Sequence, residues 1–167
     1  MNLANTALFL LAAVILLGSP GPAIAALLAV GRAAGFRRSM PFFWGLQAGL
    51  ALGAAVSAAG LASLLLAFPF AVTAMSVIAA LYLLWLAFKI GFAPVGNNES
   101  TGGAAATSPW SGFLLGATNP KAYLAFISLM ASHMIFPERP SWDAAVKGLW
   151  LVLIMIAVDL IWLYFGA

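Results

Sequence analysis

Five apolar stretches, separated by short polar connections, make up most of this 167-residue chain. Each stretch contains at least about 20 residues, which is the length that an α-helix needs to cross the hydrocarbon core of a bilayer. The pattern therefore predicts an all-α integral membrane protein. Its five predicted transmembrane helices are Leu3–Val30, Pro41–Phe68, Phe70–Phe92, Trp110–Phe136 and Ala144–Phe165.

The composition excludes a water-soluble domain, because 65% of the residues are hydrophobic, 7% are charged and the mean hydropathy is +1.09. The basic residues are scattered rather than arranged in a stripe, so we expect no nucleic-acid partner. The chain has no cysteine and one histidine, and we expect neither a metal site nor a cofactor. Motifs of soluble enzymes are absent, and the chain is not expected to be an enzyme.

The basic residues of the short connections predict the orientation of the spans. Arg32, Arg37 and Arg38 lie between the first and second spans. Because cytoplasmic connections are enriched in Lys and Arg, this connection is expected to be cytoplasmic and the N-terminus to lie outside. Counting the spans onward from this orientation places Arg139 and Lys147 outside, as the only basic residues expected there.

Residues 94–109 are small and polar, which is typical of a flexible linker, here expected in the cytoplasm. The linker separates a three-span unit, residues 1–93, from a two-span unit, residues 110–167. Because three spans reverse the direction of entry, the two units have the relation expected of an inverted-topology 3+3 repeat. The second repeat is then incomplete, with five of six helices present.

Two prolines interrupt the first and the fourth spans in matching places, at Pro20 and Pro120. Proline cannot donate a helix hydrogen bond, so each span is predicted to stop and restart there. We predict C-caps at Gly18 and Gly116, N-caps at Ser19 and Asn119, and Pro20 and Pro120 at the first helical positions. The restarted helices would point their N-termini at a ligand such as a carboxylate. The alternative is a pair of proline kinks without a ligand.

Lys121 and Asp159 are the charged residues predicted to lie deepest in the membrane. A lysine in the first turn of a helix opposes the helix dipole, and at mid-membrane depth it carries a further cost. Lys121 therefore needs an anion, which is either Asp159 in a purely structural ion pair or the carboxylate of a substrate. As the sole acid predicted at depth, Asp159 is also the candidate carrier of a coupling proton.

Glycines recur at four-residue intervals on the second and fourth spans, which predicts smooth surfaces for close helix packing. These glycines are Gly45, Gly49, Gly53, Gly112 and Gly116. Gln47, on the second span, could hydrogen-bond either a substrate or a neighbouring helix.

Several motifs occur together along nearly the whole chain. They are Ser19–Pro22, Gly35–Ser39 followed by Gly45 and Gly49, Tyr82–Lys89, Gly112–Phe113 with Gly116, Asn119–Ala122, and Asp159 with Trp162 and Tyr164. Together they resemble the LysE/RhtB family of amino-acid exporters. The resemblance implies a protein of the bacterial inner membrane that exports amino acids or close derivatives, driven by the proton gradient.

The resemblance and the two breaks together predict a substrate site. The helix ends after Pro20 and Pro120, with Lys121, would hold the substrate carboxylate, and Asp159 would face the amino group or exchange a proton. The predicted substrate-binding residues are Ser19, Pro20, Gly21, Pro22, Gln47, Asn119, Pro120, Lys121 and Asp159.

Members of this family usually have six spans, so the chain is expected to lack the last one. The alternative function is therefore a non-transporting truncated homologue, or a membrane subunit that packs with a partner. The glycine surfaces make a homodimer one possible assembly.

Overall fold

The computed structural model describes residues 2–59, 107–132 and 134–167, together with residues 70, 73–75, 77, 78, 80, 81, 84, 85 and 88. All regular secondary structure in these residues is helical, as the sequence predicted. Much of the predicted third span, including Tyr82 and Lys89, and most of the predicted linker 94–109 lie outside the described residues.

Five helices are formed in the three long described ranges. They are α1 (Leu3–Gly18), α2 (Pro22–Ala58), α3 (Pro109–Ala117), α4 (Pro120–Ala131) and α5 (Pro140–Gly166). Helices α2 to α5 each begin with a proline. Proline has no N–H, but the N–H of the first helical residue has no partner within the helix in any case. Among the described helices, α2 and α5 are long and apolar enough to cross a membrane, and α1 and α4 are shorter apolar helices.

Helix α2 bends at Gly35, which has φ 75° and ψ 166°, so that helical segments 22–34 and 36–58 meet there. A positive φ is readily adopted by glycine because it has no Cβ. The Ser39 hydroxyl spans the bend by donating to the carbonyls of Gly35, at 2.8 Å, and Val30, at 3.1 Å. The segment between Val30 and Pro41, which was predicted to connect two spans, is therefore helical apart from Gly35. Its three arginines lie on helical turns rather than in a loop.

Helix α2 contacts α3, α4 and α5, and α1 packs against α4 and α5. The contact between α2 and α3 is made by backbone, at the glycines predicted to serve packing. A Cβ added to Gly116 would lie 2.5 Å from the Leu46 carbonyl oxygen, and one added to Gly45 would overlap the Pro109 carbonyl. Gly53 instead faces the rings of two aromatic residues of α4.

A second backbone contact joins the end of α5 to the first segment of α2. A Cβ added to Gly31 would lie 2.9 Å from the Leu163 carbonyl oxygen, and one added to Gly166 would lie 2.7 Å from that of Leu28. Small residues let helix backbones approach in this way inside membranes. The two contacts hold α3 and α5 against different segments of α2.

The core is apolar, and so is much of the outer surface. Phe9, Phe42, Phe43 and Phe126 are fully buried. Large apolar side chains also point outward from α1 and α5, including Leu3, Leu11, Ile15, Leu149 and Ile161. Outward-facing apolar side chains on long apolar helices are what a bilayer environment requires.

A buried ion pair lies at the start of α5. The Lys147 ammonium is 2.9 Å from the Asp143 carboxylate, and Lys147 is only 1% exposed. Asp143 also accepts hydrogen bonds from the backbone N–H groups of Ile135, at 2.6 Å, and Phe136, at 2.8 Å. The sequence placed Lys147 as a basic residue of an outside connection, whereas the structure buries it.

The remaining Lys147 contacts fix the end of α4. Its ammonium donates to the carbonyls of Met130, at 3.3 Å, and Ser132, at 3.1 Å, and lies over the Phe9 ring of α1. A cation is favourable there, because the C-terminal carbonyls of a helix carry partial negative charge. The pair therefore fastens α1, α4 and α5 together at one end of the bundle.

Gly45→Ala tests whether the α2–α3 contact depends on the missing side chain. The added methyl would overlap the Pro109 carbonyl, so we expect it to lower the free energy of unfolding by about 1–3 kcal/mol. Gly148→Ala is the control, because its Cβ would meet nothing closer than 3.8 Å. The control should be stabilised by up to about 1 kcal/mol, the helix-propensity gain. Tryptophan fluorescence during detergent denaturation measures both, and equal effects of the two substitutions would contradict the close contact.

Lys147→Met tests the buried ion pair. It leaves the Asp143 carboxylate buried without its cation, which we expect to lower the free energy of unfolding by about 3–5 kcal/mol. The double variant Asp143→Asn with Lys147→Met should lose less, because the asparagine is neutral and its oxygen can still accept the two backbone N–H groups. Arg139→Met, which removes an exposed cation, is the control. A single variant as stable as that control would show that the pair is dispensable.

Candidate functional site

The two predicted helix breaks are present in the structure. Helix α1 ends at Gly18 and α2 begins at Pro22, while α3 ends at Ala117 and α4 begins at Pro120. Residues from both breaks line one cavity, so the breaks face each other within the bundle.

The second break has the predicted N-cap, but the first does not. Asn119 is the N-cap of α4 and Pro120 is its first residue, which confirms both assignments. At the first break the N-cap is Gly21 and the first helical residue is Pro22, so the prediction of Ser19 and Pro20 is wrong. The physical reason is that Ser19 ends α1 instead, where its hydroxyl donates to the Leu16 carbonyl at 2.9 Å.

The predicted glycine C-caps also differ from the structure. The C-cap residues are Ser19 for α1 and Thr118 for α3, so Gly18 and Gly116 still belong to the helices. Neither cap adopts the left-handed conformation that favours glycine. A side-chain hydroxyl bonds back to a carbonyl at each position, from Thr118 to Leu114 at 2.7 Å in the second case.

The cavity between the breaks has a volume of about 30 Å³. This is room for about two water molecules. Its lining combines charges of both signs with apolar side chains from α1, α2, α4 and α5. The lining residues are Leu16, Leu17, Gly21, Ala23, Ile24, Leu50, Asn119, Lys121, Ala122, Ala125, Phe126, Met155 and Asp159.

Lys121 reaches from the start of α4 to the other break. Its ammonium donates hydrogen bonds to the Ser19 carbonyl and, at 3.4 Å, to the Pro20 carbonyl. Gly21 makes room for the side chain, because a Cβ there would lie 2.6 Å from the Lys121 Cδ. The lysine is thereby placed at the C-terminal end of α1, where the helix dipole favours a cation.

A third side chain satisfies the end of α1. The Trp162 indole N–H of α5 donates to the Gly18 carbonyl at 3.2 Å. With the Ser19 hydroxyl and the Lys121 ammonium, it provides donors to carbonyls that the break leaves without helical partners. Such groups must be satisfied inside the protein, since a bilayer core offers no water.

Asp159 is held by Gln47. The two residues are 96% and 94% buried, and the Gln47 Nε2 donates to the Asp159 Oδ2 at 2.7 Å. Gln47 lies two residues from both Gly45 and Gly49, which turns it to the opposite side of the helix from α3. That side faces α5, which positions the amide against the carboxylate.

The structure brings the nine predicted substrate-binding residues to one place. Gly21, Asn119, Lys121 and Asp159 line the cavity, and Gln47 contacts Asp159. Ser19 and Pro20 offer their carbonyls to Lys121, and Pro22 and Pro120 begin the two helices.

The suggested ion pair between Lys121 and Asp159 is not formed. In the described ranges the ion pair joins Asp143 to Lys147, whereas Lys121 uses backbone carbonyls and Asp159 uses an amide. Both charges nevertheless face the same cavity. No group of three potential metal-ligating His, Cys, Asp or Glu residues occurs among the described residues.

Sequence reasoning missed two polar contributors. Trp162 was named only within a motif and was given no contact, although it lies three residues after Asp159 and thus on the same face of α5. Asp143 and Lys147 have the four-residue spacing of a helical ion pair, which could have revealed their contact but not their burial.

Comparison with known proteins identifies the family. A family model described as LysE type translocator matches residues 14–167, so the chain belongs to this family. No curated protein and no solved structure matches the chain significantly. Together with the apolar helices, the family makes this chain a multi-pass membrane transporter.

Lys121→Met tests the link between the two breaks. It removes the donor of the Ser19 and Pro20 carbonyls, so the first break should open more readily. In a chain without native cysteine, Ser19→Cys reports this through its rate of reaction with a small thiol reagent. We expect a roughly tenfold faster reaction in Lys121→Met, the effect of one lost charged hydrogen bond.

Lys121→Arg, which keeps a cationic donor, should leave the Ser19→Cys rate near that of the parent chain. Ser141→Cys, at an exposed position of α5, controls for a general change of reactivity. Equal Ser19→Cys rates with Lys121 and with Met at that position would show that the lysine does not hold the break.

Proposed function

We propose that this LysE type translocator exports amino acids or close derivatives from the cytoplasm and is coupled to the proton gradient. The observation that carries the proposal is the cavity between two helix breaks, which is lined by one partly buried cation, Lys121, and one buried anion, Asp159. An amino acid carries a negative carboxylate and a positive ammonium group, which would face the cation and the anion of the cavity, respectively. Intramembrane charges that face a cavity usually mark a transport pathway.

The substrate carboxylate is proposed to bind at the start of α2 and α4. Neither Gly21 nor Asn119 caps the helix with a side-chain hydrogen bond, and proline supplies no N–H at the first position. The partial positive charge of these N-termini therefore remains available to an anion. Lys121 lies beside them and would exchange its carbonyl partners for the carboxylate.

The amino group is proposed to face Asp159, which also serves as the proton carrier. Asp159 is buried and lines the cavity. A proton and a substrate ammonium group that enter this cavity would therefore compete for the same carboxylate. Binding of one would then favour release of the other. This exchange would couple export to proton entry.

Transport requires the cavity to open, because a volume of about 30 Å³ is too small for an amino acid. We propose that the helices of the two breaks rock against each other around the site, as in inverted-repeat transporters. The glycine contact of α2 with α3 would serve as the sliding surface, since its glycines meet the backbone of the facing helix. The apolar lining, including Leu16, Ile24 and Met155, favours neutral apolar side chains of the substrate.

The proposed setting is the bacterial inner membrane, with the N-terminus outside and residues 94–109 in the cytoplasm. The basic residues near the bend at Gly35 support this orientation. A homodimer is one proposed assembly, but the glycine surfaces that suggested it are used within the chain, where Gly45, Gly49, Gly112 and Gly116 form the contact of α2 with α3.

The test is export of labelled amino acids from proteoliposomes that contain the purified chain, with and without a pH gradient. We expect gradient-dependent export, and roughly tenfold or larger loss of rate in Lys121→Ala, because a charged hydrogen bond to the carboxylate is lost. Asp159→Asn should remove the dependence on the gradient.

Arg139→Ala is the matched control, because it removes an exposed cation outside the cavity and should keep the parent rate. Export by Lys121→Ala at the parent rate would contradict the assigned carboxylate site. Absence of export of every amino acid tested, in protein that is folded, would favour the non-transporting alternative.

A further inference from the structure

Two buried side-chain oxygens in the described residues accept no hydrogen bond. They are the Gln47 Oε1 and the Asn119 Oδ1, on residues that are 94% and 97% buried. An acceptor without a partner in an apolar interior is costly and therefore rare. Both atoms belong to residues near Asp159, because Gln47 bonds its carboxylate and Asn119 lines the same cavity.

The Gln47 amide is oriented by its bond to the carboxylate. A carboxylate can only accept, so the nitrogen of the amide must face Asp159, at 2.7 Å. The oxygen of the same amide group has no donor, and Gln47 borders the cavity only through its contact with Asp159, which lines it. The amide oxygen adds a second acceptor near the negative charge.

Asn119 is unusual among N-caps. An N-cap asparagine normally accepts a hydrogen bond from a backbone N–H in the first turn of its helix. Here the side chain makes no such bond, and Asn119 instead lines the cavity together with Asp159. Its oxygen is therefore available to a donor that enters the cavity.

We propose that the Asn119 Oδ1, the Gln47 Oε1 and the Asp159 carboxylate form a subsite for a primary ammonium group. This inference rests on the proposed function and refines it by assigning the recognition of the amino end of the substrate. A primary ammonium carries three N–H donors and one positive charge, which match two neutral acceptors and one anion.

The subsite distinguishes ligands by the number of N–H groups on their ammonium nitrogen. Each N-methyl group replaces one donor by an apolar group and leaves one acceptor buried without a partner. Such a loss discriminates more strongly than a small change of apolar volume. Asn119 and Gln47 are thus specificity-determining residues, which distinguish primary amines from N-methylated ones.

The test measures binding, without transport, by thermal-shift titration of the purified chain in nanodiscs. The probes are L-leucine, chosen for the apolar lining, its N-methyl and N,N,N-trimethyl derivatives, and isopentylammonium, which lacks the carboxylate. We expect N-methyl-L-leucine to bind roughly tenfold more weakly than L-leucine, and the trimethyl compound roughly a hundredfold or more. Isopentylammonium should bind measurably, because the ammonium subsite is intact without the carboxylate.

Asn119→Leu should weaken L-leucine binding roughly tenfold and reduce its advantage over N-methyl-L-leucine. Asn119→Asp keeps the acceptor and should keep the preference for the primary amine. Thr118→Val is the matched control, because the Thr118 hydroxyl already bonds the Leu114 carbonyl. It should leave the ratio of the two affinities unchanged, as would any substitution that acts only on stability.

Equal affinities for L-leucine and its methylated derivatives would overturn the subsite, and so would no binding of either L-leucine or isopentylammonium. Stabilisation of the parent chain, but not of Asn119→Leu, when NaCl replaces N-methyl-D-glucamine chloride would assign the oxygens to Na⁺ and also overturn it. Amine-selective binding without export would contradict the proposed function alone. Export of amino acids irrespective of N-methylation would contradict the subsite alone.

Discussion

The constraint behind this structure is that every backbone polar group freed by a helix break must find its partner inside the protein. At the end of α1 the partners are the Ser19 hydroxyl, the Trp162 indole and the Lys121 ammonium, from three different helices or connections. A break of this kind therefore cannot be a local feature. It draws α4 and α5 toward the end of α1, and it determines where the cavity forms and which side chains line it.

Lys121 reconciles two opposing electrostatic demands. Its backbone belongs to the first turn of α4, where the helix dipole disfavours a cation, while its ammonium lies at the last carbonyls of α1, where the dipole favours one. The side chain thus joins the two breaks without an ion pair to Asp159. Because carbonyls are weaker partners for an ammonium than a carboxylate is, an entering anion can compete for the lysine. These are the properties that the proposed carboxylate site needs from Lys121.

Local sequence rules predicted the breaks and the α4 cap but not the start of α2. The segment Ser19–Pro22 holds two prolines, and either fits the first position of a helix. The Ser19 hydroxyl ends α1 locally, and Lys121 and Trp162, which are more than 100 residues away in sequence, bind the carbonyls of Gly18 to Pro20 after it. Lys147 was misplaced for a related reason. A pair spaced four residues apart is usually solvent-exposed, and its burial depends on the end of α4, which sequence alone does not place beside it.

The glycine contact and the candidate site are parts of one mechanical arrangement. Gly45 and Gly49 bring the backbone of α2 against α3, and Gln47 points from the opposite side of the same helix to Asp159. Helix α3 is joined to α4 by only Thr118 and Asn119, so a shift of α3 along the glycines moves the start of α4 with it. Such a shift would move Asn119 and Lys121 relative to Gln47 and Asp159. In the proposed transport cycle, this backbone contact at the glycines would be the surface along which the cavity volume changes.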